Sequence, residues 1–317
     1  MSRKWESNGV KTGIIYPQTE LGGDPECVRR FALAAEERGY EHFLAYDHVA
    51  GATHANRDPE LTGPYTEKDT FHDPFVMFAH LAGITRSIRF VSGVMILPQR
   101  QTVLVAKQSA TLDLLTNGNF RLGIGTGWNE VEYEALGMDF KARGKVFDDQ
   151  IDVLRALWTE RAVTVETVFH TITDAGLWPM PVQRPIPLWL GGGGVHPYKG
   201  WAHVDRVLRR IAQKGDGWMP TFDPDETGMQ LVERFREYCR EVERDPADVP
   251  IEALLLPSMH PDWPAHVEAW KNVGAVQMCT NVAGPGIDGV DANIKRLDEV
   301  RQSLSSAGLW TPREDTA

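Results

Sequence analysis

The sequence predicts an α/β fold, a closed parallel (β/α)8 TIM barrel, and three observations support this. Short apolar runs alternate with longer amphipathic ones along the chain of 317 residues. Eight short runs are strand candidates, and each is followed by a helix candidate. The short runs are almost continuously apolar, which is typical of parallel strands that are covered on both faces. An open doubly wound sheet is the alternative that the periodicity leaves.

The eight predicted strands share an apolar centre bounded by turn residues. They lie near residues 12–17, 42–47, 89–95, 120–126, 187–191, 216–219, 251–256 and 275–280. The first helix candidate, DPECVRRFALAAEERG, shows the signals at both helix ends. Asp24 is placed to cap it, Pro25 suits the first turn, and Gly39 can end it. We expect a single domain that spans residues 1–317.

Residues 162–186 interrupt the alternation of strands and helices. The segment begins with the β-like run AVTVETVFHTI and continues with the proline-rich run WPMPVQRPIP. An inserted hairpin or excursion between the fourth and fifth strands accounts for both runs. It also explains a length slightly above the roughly 250 residues of a typical barrel.

The chain is acidic, with 33 Lys and Arg residues against 44 Asp and Glu residues and a formal net charge of −11. An acidic surface repels phosphate backbones and anionic lipids, so we expect neither nucleic acid nor a membrane as a partner. The start, MSRKWESNGVKTG, lacks the apolar centre of a secretory signal. Cys27, Cys239 and Cys279 show no metal-ligand spacing. An odd number of scattered cysteines fits a cytoplasmic protein.

The second strand ends in an acid and an imidazole. In FLAYDHVAG these are Asp47 and His48. The active sites of such barrels lie at the C-terminal ends of the strands, and an ionised carboxylate beside an imidazole that titrates near neutral pH suits acid–base chemistry. A metal site with His54 and His72 is a less favoured alternative, because the ligands of a barrel metallohydrolase are not laid out at the later strand ends. We therefore predict no metal ligands.

Glycines mark three further strand ends. Gly93 interrupts a bulky run, where it either relieves crowding or lets a flat ring lie against the backbone. GIGTG at 123–127 lacks the dinucleotide spacing G-x-G-x-x-G, and GGGG at 191–194 is not the start of a phosphate-binding P-loop. Backbone N–H groups at 191–194 would nevertheless suit a phosphate. The arginines that could assist are Arg206, Arg209 and Arg210.

Three stretches, in this order, resemble the bacterial luciferase-like family of flavin- and deazaflavin-dependent oxidoreductases. They are AEERGYEHFLAYDHV, then RSIRFVSGVMILPQRQTVLVAKQSATLDLLTNGNFRLGIGTGWNEVEYEALGMDFKARG, and finally PVQRPIPLWLGG followed by GDGWMP. The resemblance implies a barrel with an insertion, a cofactor ring at its C-terminal mouth, and a homodimer. It is strongest to the branch that uses the deazaflavin coenzyme F420, while members that use FMN share much of it.

The resemblance also implies roles for individual residues. His48 would stand near the reactive carbon as the catalytic acid or base, and Asp47 would contact the coenzyme. A non-prolyl cis peptide that props the ring would fall at Gly93–Val94. The positions matched to the ribityl and phosphate parts of the cofactor are Thr126, Gly127, Gly191, Gly192 and Gly193.

One departure from the family bears on the substrate. Sugar-phosphate dehydrogenases of the family place a Glu after the Gly-Thr-Gly stretch, whereas this chain has Trp128 and then Asn129. We expect these two side chains to line the pocket of a small-molecule substrate that is apolar or aromatic. The mouth would be formed by loops rich in Trp, Tyr, Pro and His. These loops are residues 48–72, 128–140, 162–186 and 257–264.

The predicted reaction is hydride transfer between coenzyme F420 and this substrate. Monooxygenation that depends on reduced FMN is the first alternative, because both reactions occur in the family. A non-catalytic flavin-binding barrel and a metal-dependent barrel hydrolase are alternatives from other classes. The link GGGGVHPYKGWAHVDR is longer than usual for the family. The identity of the phosphate ligands therefore stays open.

Overall fold

The computed structural model describes residues 10–55, 57–58, 60–195, 200–260 and 262–313. Its strands are β1 (Val10–Ile15), β2 (His42–Ala45), β3 (Arg89–Ser92), β4 (Met95–Ile96), β5 (Phe120–Gly125), β6 (Val163–Glu166), β7 (Thr171–Ala175), β8 (Leu188–Gly191), β9 (Gly217–Met219), β10 (Ile251–Leu255), β11 (Ala275–Asn281) and β12 (Trp310–Thr311). Strands β1, β2, β3, β5, β8, β9, β10 and β11 form the barrel. They pair in parallel in this order, and β11 pairs with β1 from Lys11–Gln277 to Ile15–Asn281, which closes the cylinder. The predicted (β/α)8 barrel is confirmed.

Helices cover the outside of the barrel. They are α1 (Gln18–Leu21), α2 (Pro25–Glu37), α3 (Pro74–Ala82), α4 (Thr102–Leu115), α5 (Glu130–Ala135), α6 (Arg143–Thr159), α7 (Gly200–Lys214), α8 (Glu226–Glu241), α9 (Trp263–Asn272) and α10 (Gly289–Ser306). The Asp24 side chain accepts a hydrogen bond from the Glu26 N–H, so the predicted cap of α2 is confirmed. Among the described residues, no helix combines the length and the apolar character needed to cross a membrane.

The segment 162–186 forms the predicted hairpin, in which β6 and β7 pair antiparallel. His170 fastens the hairpin to the outer helices. Its Nδ1 lies 2.6 Å from Asp149 Oδ2 in α6, and its Nε2 lies 2.6 Å from Thr102 Oγ1 in α4. The hairpin therefore packs on the outside of the barrel. Among the described residues, none from 162–186 lines the cavity at the C-terminal end of the barrel, so a contribution of this segment to the mouth stays a prediction.

The barrel interior has a polar layer beneath an apolar one. In the polar layer Glu252 contacts both Arg121 and His42, and the Arg121 guanidinium stacks 4.0 Å from the centroid of the Trp189 ring. The apolar layer lies nearer the C-terminal mouth. It consists of Ile15, Leu44, Val91 and Cys279, with Tyr46, Met219 and Leu254 packed against it.

Glycines make room for the large interior side chains. A Cβ atom at Gly13 would lie 2.0 Å from His42 Nε2, and one at Gly217 would lie 2.2 Å from the Trp189 ring. Neither glycine has a positive φ, so space and not backbone conformation restricts these positions. The two glycines are therefore needed by the polar layer that they flank.

The substitution Gly13→Ala is expected to lower the free energy of unfolding by about 1–3 kcal/mol, because the new methyl group overpacks the interior against His42. Gly23→Ala is the matched control, since the nearest atom to its Cβ would be Thr70 Cγ2 at 3.7 Å. Urea denaturation of both variants measures the difference. Equal stabilities for the two would contradict this account of the barrel interior.

Candidate active site

A cavity of about 410 Å³ opens at the C-terminal end of the barrel strands. Its volume lies within the roughly 300–1,000 Å³ of small-molecule sites. The floor is the apolar interior layer, and the walls come from the ends of β2, β3, β5, β8 and β9 and from the residues after them. Most of the lining is apolar. The large side chains at the lining are Tyr46, Ile96, Trp128, Met219 and Leu254.

The peptide bond Gly93–Val94 is cis in the structure, as the resemblance implies, and both residues line the cavity. The Val94 side chain occupies the space between two glycines. A Cβ atom at Gly125 or at Gly191 would lie 2.6 or 2.7 Å from a Val94 methyl carbon. A Cβ atom at Gly93 would lie 2.5 Å from Leu44 Cδ1. Relief of crowding is therefore one reason for the glycine in this strand.

The loop after β5 contributes Thr126, Gly127 and Trp128 to the lining, as predicted for its position. Trp128 packs directly over Gly63, whose Cβ would lie 2.1 Å from the indole ring. Asn129 requires a correction. It is buried and caps α5 by accepting a hydrogen bond from the Glu132 N–H at 3.4 Å, so its side chain does not line the cavity described.

The glycines after β8 divide into two groups. Gly191 and Gly192 line the cavity. Gly193 does not, because it packs against the side chains of Trp218 and Leu208. Gly192 and Gly193 both have positive φ, at 122° and 99°, which explains why glycine is required at both positions. Residues 196–199 of the long link to α7 lie outside the described residues.

Two of the arginines expected near a phosphate have other partners. Arg209 forms an ion pair with Glu241, and Arg210 forms one with Asp148. Arg206 is exposed on α7. In the described part of the chain, the residues that line the cavity include neither Lys nor Arg. The Gly192 N–H donates to the Met219 carbonyl at 3.1 Å, so the phosphate contact that the resemblance implies for these glycines stays a prediction.

Asp47 is buried beneath the mouth and does not line the cavity. Its Oδ1 accepts from Arg100 Nη2 at 2.6 Å, and its Oδ2 accepts from the Ile96 N–H at 3.1 Å. Burial raises the pKa of Asp47, and the guanidinium of Arg100 counteracts that rise. The coenzyme contact that the resemblance implies for Asp47 stays a prediction. In the structure this carboxylate instead joins the end of β2 to β4 and Arg100.

His48 pairs with a buried carboxylate that the sequence analysis missed. Its Nδ1 lies 3.3 Å from Glu132 Oε2 in α5. Glu132 also accepts hydrogen bonds from the N–H groups of Val49 and Ala50, at 2.5 and 3.2 Å, and from Gln99 Nε2 at 3.1 Å. The carboxylate thus fixes both the imidazole and the backbone of the loop that carries it.

Glu132 is held in its ionised form. Burial alone would raise its pKa, but hydrogen bonds from His48, the Ala50 N–H and Gln99 outweigh burial and lower the pKa. An ionised carboxylate only accepts hydrogen bonds, so His48 Nδ1 carries a proton. The neutral ring therefore presents the lone pair of Nε2, the atom available for acid–base chemistry.

The stabilisation that Glu132 provides is expected to depend on pH. Because its pKa is lower in the folded chain than the ordinary value of 4.5, the contribution is complete above that value and is lost as the pH falls through the folded pKa. The Glu132→Gln variant lacks this titration. Its free energy of unfolding should fall less steeply than that of the wild type below about pH 4.5. Parallel curves in urea titrations over this range would contradict the assignment.

Aromatic rings surround His48. The centroid of its ring lies 4.8 Å from that of Phe71, 5.1 Å from that of Tyr65 and 6.0 Å from that of Trp128. Trp128 touches both His48 and the cavity, so the imidazole is one side chain removed from the lining. His54 Nε2 donates a hydrogen bond to the Tyr65 carbonyl at 3.0 Å. Among the described residues, neither His54 nor His72 joins a group of three converging metal-ligand atoms.

Comparison with known proteins identifies the family. The model of the luciferase-like monooxygenase family matches residues 10–308, which is almost the whole chain. The chain belongs to the luciferase-like monooxygenase family. The resemblance stated from the sequence motifs is therefore confirmed. Members of this family are oxidoreductases or monooxygenases.

Relatives of this luciferase-like chain include an uncharacterised protein of Mycobacterium tuberculosis that is 35% identical over 65% of this chain and 70% of its own. A protein of Beutenbergia cavernae described as an F420-dependent glucose-6-phosphate dehydrogenase is 23% identical over 92% of this chain and 81% of its own. Among solved structures, an F420-dependent secondary alcohol dehydrogenase in complex with an F420–acetone adduct superposes with a TM-score of 0.72 at 16% identity. That match covers 93% of this chain and 99% of the other, and it supports the shared fold.

Proposed function

We propose that this luciferase-like protein transfers a hydride between coenzyme F420 and a small apolar or aromatic organic molecule. The observation that carries the proposal is the apolar cavity over Gly93–Val94, with the His48–Glu132 pair one side chain away behind Trp128. A flat heterocycle could lie in this cavity with an acid–base group beside it. The arrangement suits a reaction in which a proton and a hydride leave or join the same substrate.

The shape of the cavity suits the ring system of the deazaflavin. Val94, Gly125 and Gly191 together form a surface without projecting polar side chains, against which a planar ring can pack. The exposed N–H groups of a glycine loop can hold a phosphate without a cation. The family resemblance places the phosphate near Gly191 and Gly192, where the Gly192 N–H would first have to leave the Met219 carbonyl to which it donates at 3.1 Å. When bound, the deazaflavin would supply or accept the hydride.

His48 would accept and return the proton of the reaction. With Nδ1–H held by Glu132, and once the Trp128 ring between His48 and the cavity has moved aside, the Nε2 lone pair can take the proton of a substrate hydroxyl as the alcohol carbon loses its hydride. In the reverse direction the imidazolium returns that proton to the oxygen of a carbonyl. The ionised Glu132 stabilises the imidazolium in both directions, since it lies against the ring and stays charged.

The walls favour an apolar substrate. Trp128 stands where the family's sugar-phosphate dehydrogenases place an acidic residue, and Ile96 and Met219 add apolar surface. A sugar phosphate would need polar partners for its hydroxyl groups and cations for its phosphate. A secondary alcohol, a ketone or an aromatic molecule of similar size fits this lining better.

Coenzyme F420 is favoured over FMN because the sequence motifs resemble the deazaflavin branch most, and the Beutenbergia cavernae relative described as F420-dependent matches over 92% of this chain. The second candidate is a monooxygenase that uses reduced FMN, and the description of the matching family model supports it. We also propose a homodimer, for which the support is the family resemblance of the sequence motifs.

The experiment is a titration of the purified protein with F420 and with FMN, followed by quenching of tryptophan fluorescence. Trp128 lines the cavity, so the correct cofactor is expected to quench it, and the Trp128→Phe variant should lose part of that quenching while still binding in equilibrium dialysis. Turnover is then measured with small secondary alcohols and ketones.

Each outcome of this experiment points to one candidate. F420 binding with turnover supports the proposal, whereas tight FMN binding without F420 binding supports the monooxygenase. Binding of F420 with no turnover of any alcohol or ketone would favour a non-catalytic barrel. If neither compound binds, the proposed cofactor site is wrong.

A further inference from the structure

Three potential metal ligands converge on the rim of the barrel mouth. Asp223 follows β9, His260 follows β10, and His266 lies in the first turn of α9. The His260 Nε2 is 3.3 Å from Asp223 Oδ1, and the His266 Nε2 is 3.8 Å from the same oxygen. One ligand atom from each residue lies within 4.8 Å of the other two. The three side chains are thus brought together by folding from separate elements.

These distances approach those of a zinc site. Zinc bonds nitrogen and oxygen ligands at about 2.0–2.2 Å in tetrahedral geometry, which places neighbouring ligand atoms about 3.3–3.5 Å apart. The separation between His260 and Asp223 already has this value, and that between His266 and Asp223 exceeds it by a few tenths of an ångström. Two histidines and one carboxylate also leave positions for water, as in sites of zinc and related transition metals.

The tautomer of His266 and the hydrogen bonds of its ring suit the binding of a metal ion. Its Nε2 accepts a hydrogen bond from Trp270 Nε1 at 3.2 Å, so this atom carries a lone pair and not a proton. The ring also forms a hydrogen bond with the backbone of Leu254. A hydrogen bond from the imidazole to a backbone group is the usual means by which a protein orients a metal-bound histidine.

We propose that Asp223, His260 and His266 bind one divalent transition-metal ion of the zinc class. This site is separate from the His48–Glu132 pair and does not depend on the hydride-transfer function. The two imidazole rings are stacked, with centroids 4.0 Å apart and planes 17° from parallel. Binding therefore turns the rings apart so that both Nε2 atoms face the ion, and it removes the acceptor of the Trp270 N–H.

The ion would connect two loops beside the cavity. Pro220 and Thr221 line the cavity and lie just before Asp223 in sequence, and Leu254, the backbone partner of His266, lines it as well. A metal bridge between Asp223 and the two histidines would tie the loop after β9 to the loop after β10. The expected role of the ion is to hold these two loops in place at the mouth of the barrel.

The test is calorimetric titration of the full chain with ZnCl2 after removal of metal with a chelator. We expect one Zn²⁺ per chain, and affinity at least about 10-fold weaker for His260→Ala and for Asp223→Asn, because each removes one of three ligands. His80→Ala is the matched control, since His80 is an exposed histidine on α3 outside the cluster. Zinc should also raise the melting temperature of the wild type and of His80→Ala but not that of His260→Ala.

Three results would overturn the proposal. The first is no binding of Zn²⁺ by the wild type, and the second is wild-type affinity in the His260→Ala and Asp223→Asn variants. The third is binding by the wild type that His80→Ala weakens as much as His260→Ala does. Circular dichroism of each variant confirms that it is folded. Because His266 also packs against Trp270, a His266→Ala variant is less informative than the other two.

Discussion

Replacing His48 with alanine is expected to lower the rate of hydride transfer by about 10²–10⁴-fold, which is the range for loss of a general acid–base catalyst. Affinity for the coenzyme should change little, because His48 does not line the cavity and is separated from it by Trp128, which would have to move aside for the proton transfer. Steady-state turnover with F420 and a small secondary alcohol measures the first quantity. Fluorescence titration with F420 measures the second.

Two further variants sharpen the His48 experiment. His54→Ala is the matched control, since His54 lies in the same loop and contacts the Tyr65 carbonyl and not Glu132. Its turnover should remain near that of the wild type. Glu132→Gln keeps the acceptor oxygen but removes the charge that stabilises the imidazolium, so a smaller loss than that of His48→Ala is expected. Wild-type turnover in His48→Ala would remove this residue from the mechanism.

The variant Arg100→Leu is expected to lower the free energy of unfolding by about 3–5 kcal/mol, because it leaves the buried carboxylate of Asp47 without its cation. The Asp47 side chain is 1% exposed and that of Arg100 is 14% exposed, so water cannot replace the lost partner. Asp73, the second carboxylate bound to Arg100, is 36% exposed and can be solvated. Urea denaturation of the variant gives the value.

The double variant Asp47→Asn/Arg100→Leu distinguishes an unpaired charge from lost packing. If the cost of Arg100→Leu comes from the stranded carboxylate, neutralising Asp47 should recover a large part of it, and the two changes should be far from additive. Additive losses would mean that the ion pair contributes little and that the Arg100 side chain acts through packing alone. The Asp47→Asn single variant completes the cycle.

The strands of the barrel could be predicted because each is a short apolar run between turn residues. Runs such as that of β2 and β5 are buried on both faces, so their composition alone identifies them. The cis peptide at Gly93–Val94 was located by family resemblance, and local sequence offered only an unexplained glycine. The hairpin at 162–186 was visible in its β-like run, but its place on α4 and α6 was not.

The pairing of Glu132 with His48 could not be predicted, because the two residues are 84 positions apart and meet only in the folded chain. In the sequence EVEYEA, Glu132 looks like one of several exposed helical acids. One local signal was available: Asn129 stands three residues before Glu132, and an asparagine at that spacing is typical of a helix cap. That signal would have placed α5 correctly and removed Asn129 from the substrate pocket.

The most direct test of the proposed function is a crystal structure of the protein with F420. We predict that the three-ring system lies in the cavity against Val94, with Gly125 and Gly191 beside it and His48 on the side of the reactive ring carbon. The phosphate would lie near Gly191 and Gly192. A deazaflavin bound elsewhere on the chain, or a cavity over Val94 filled by the protein's own side chains in the complex, would contradict it.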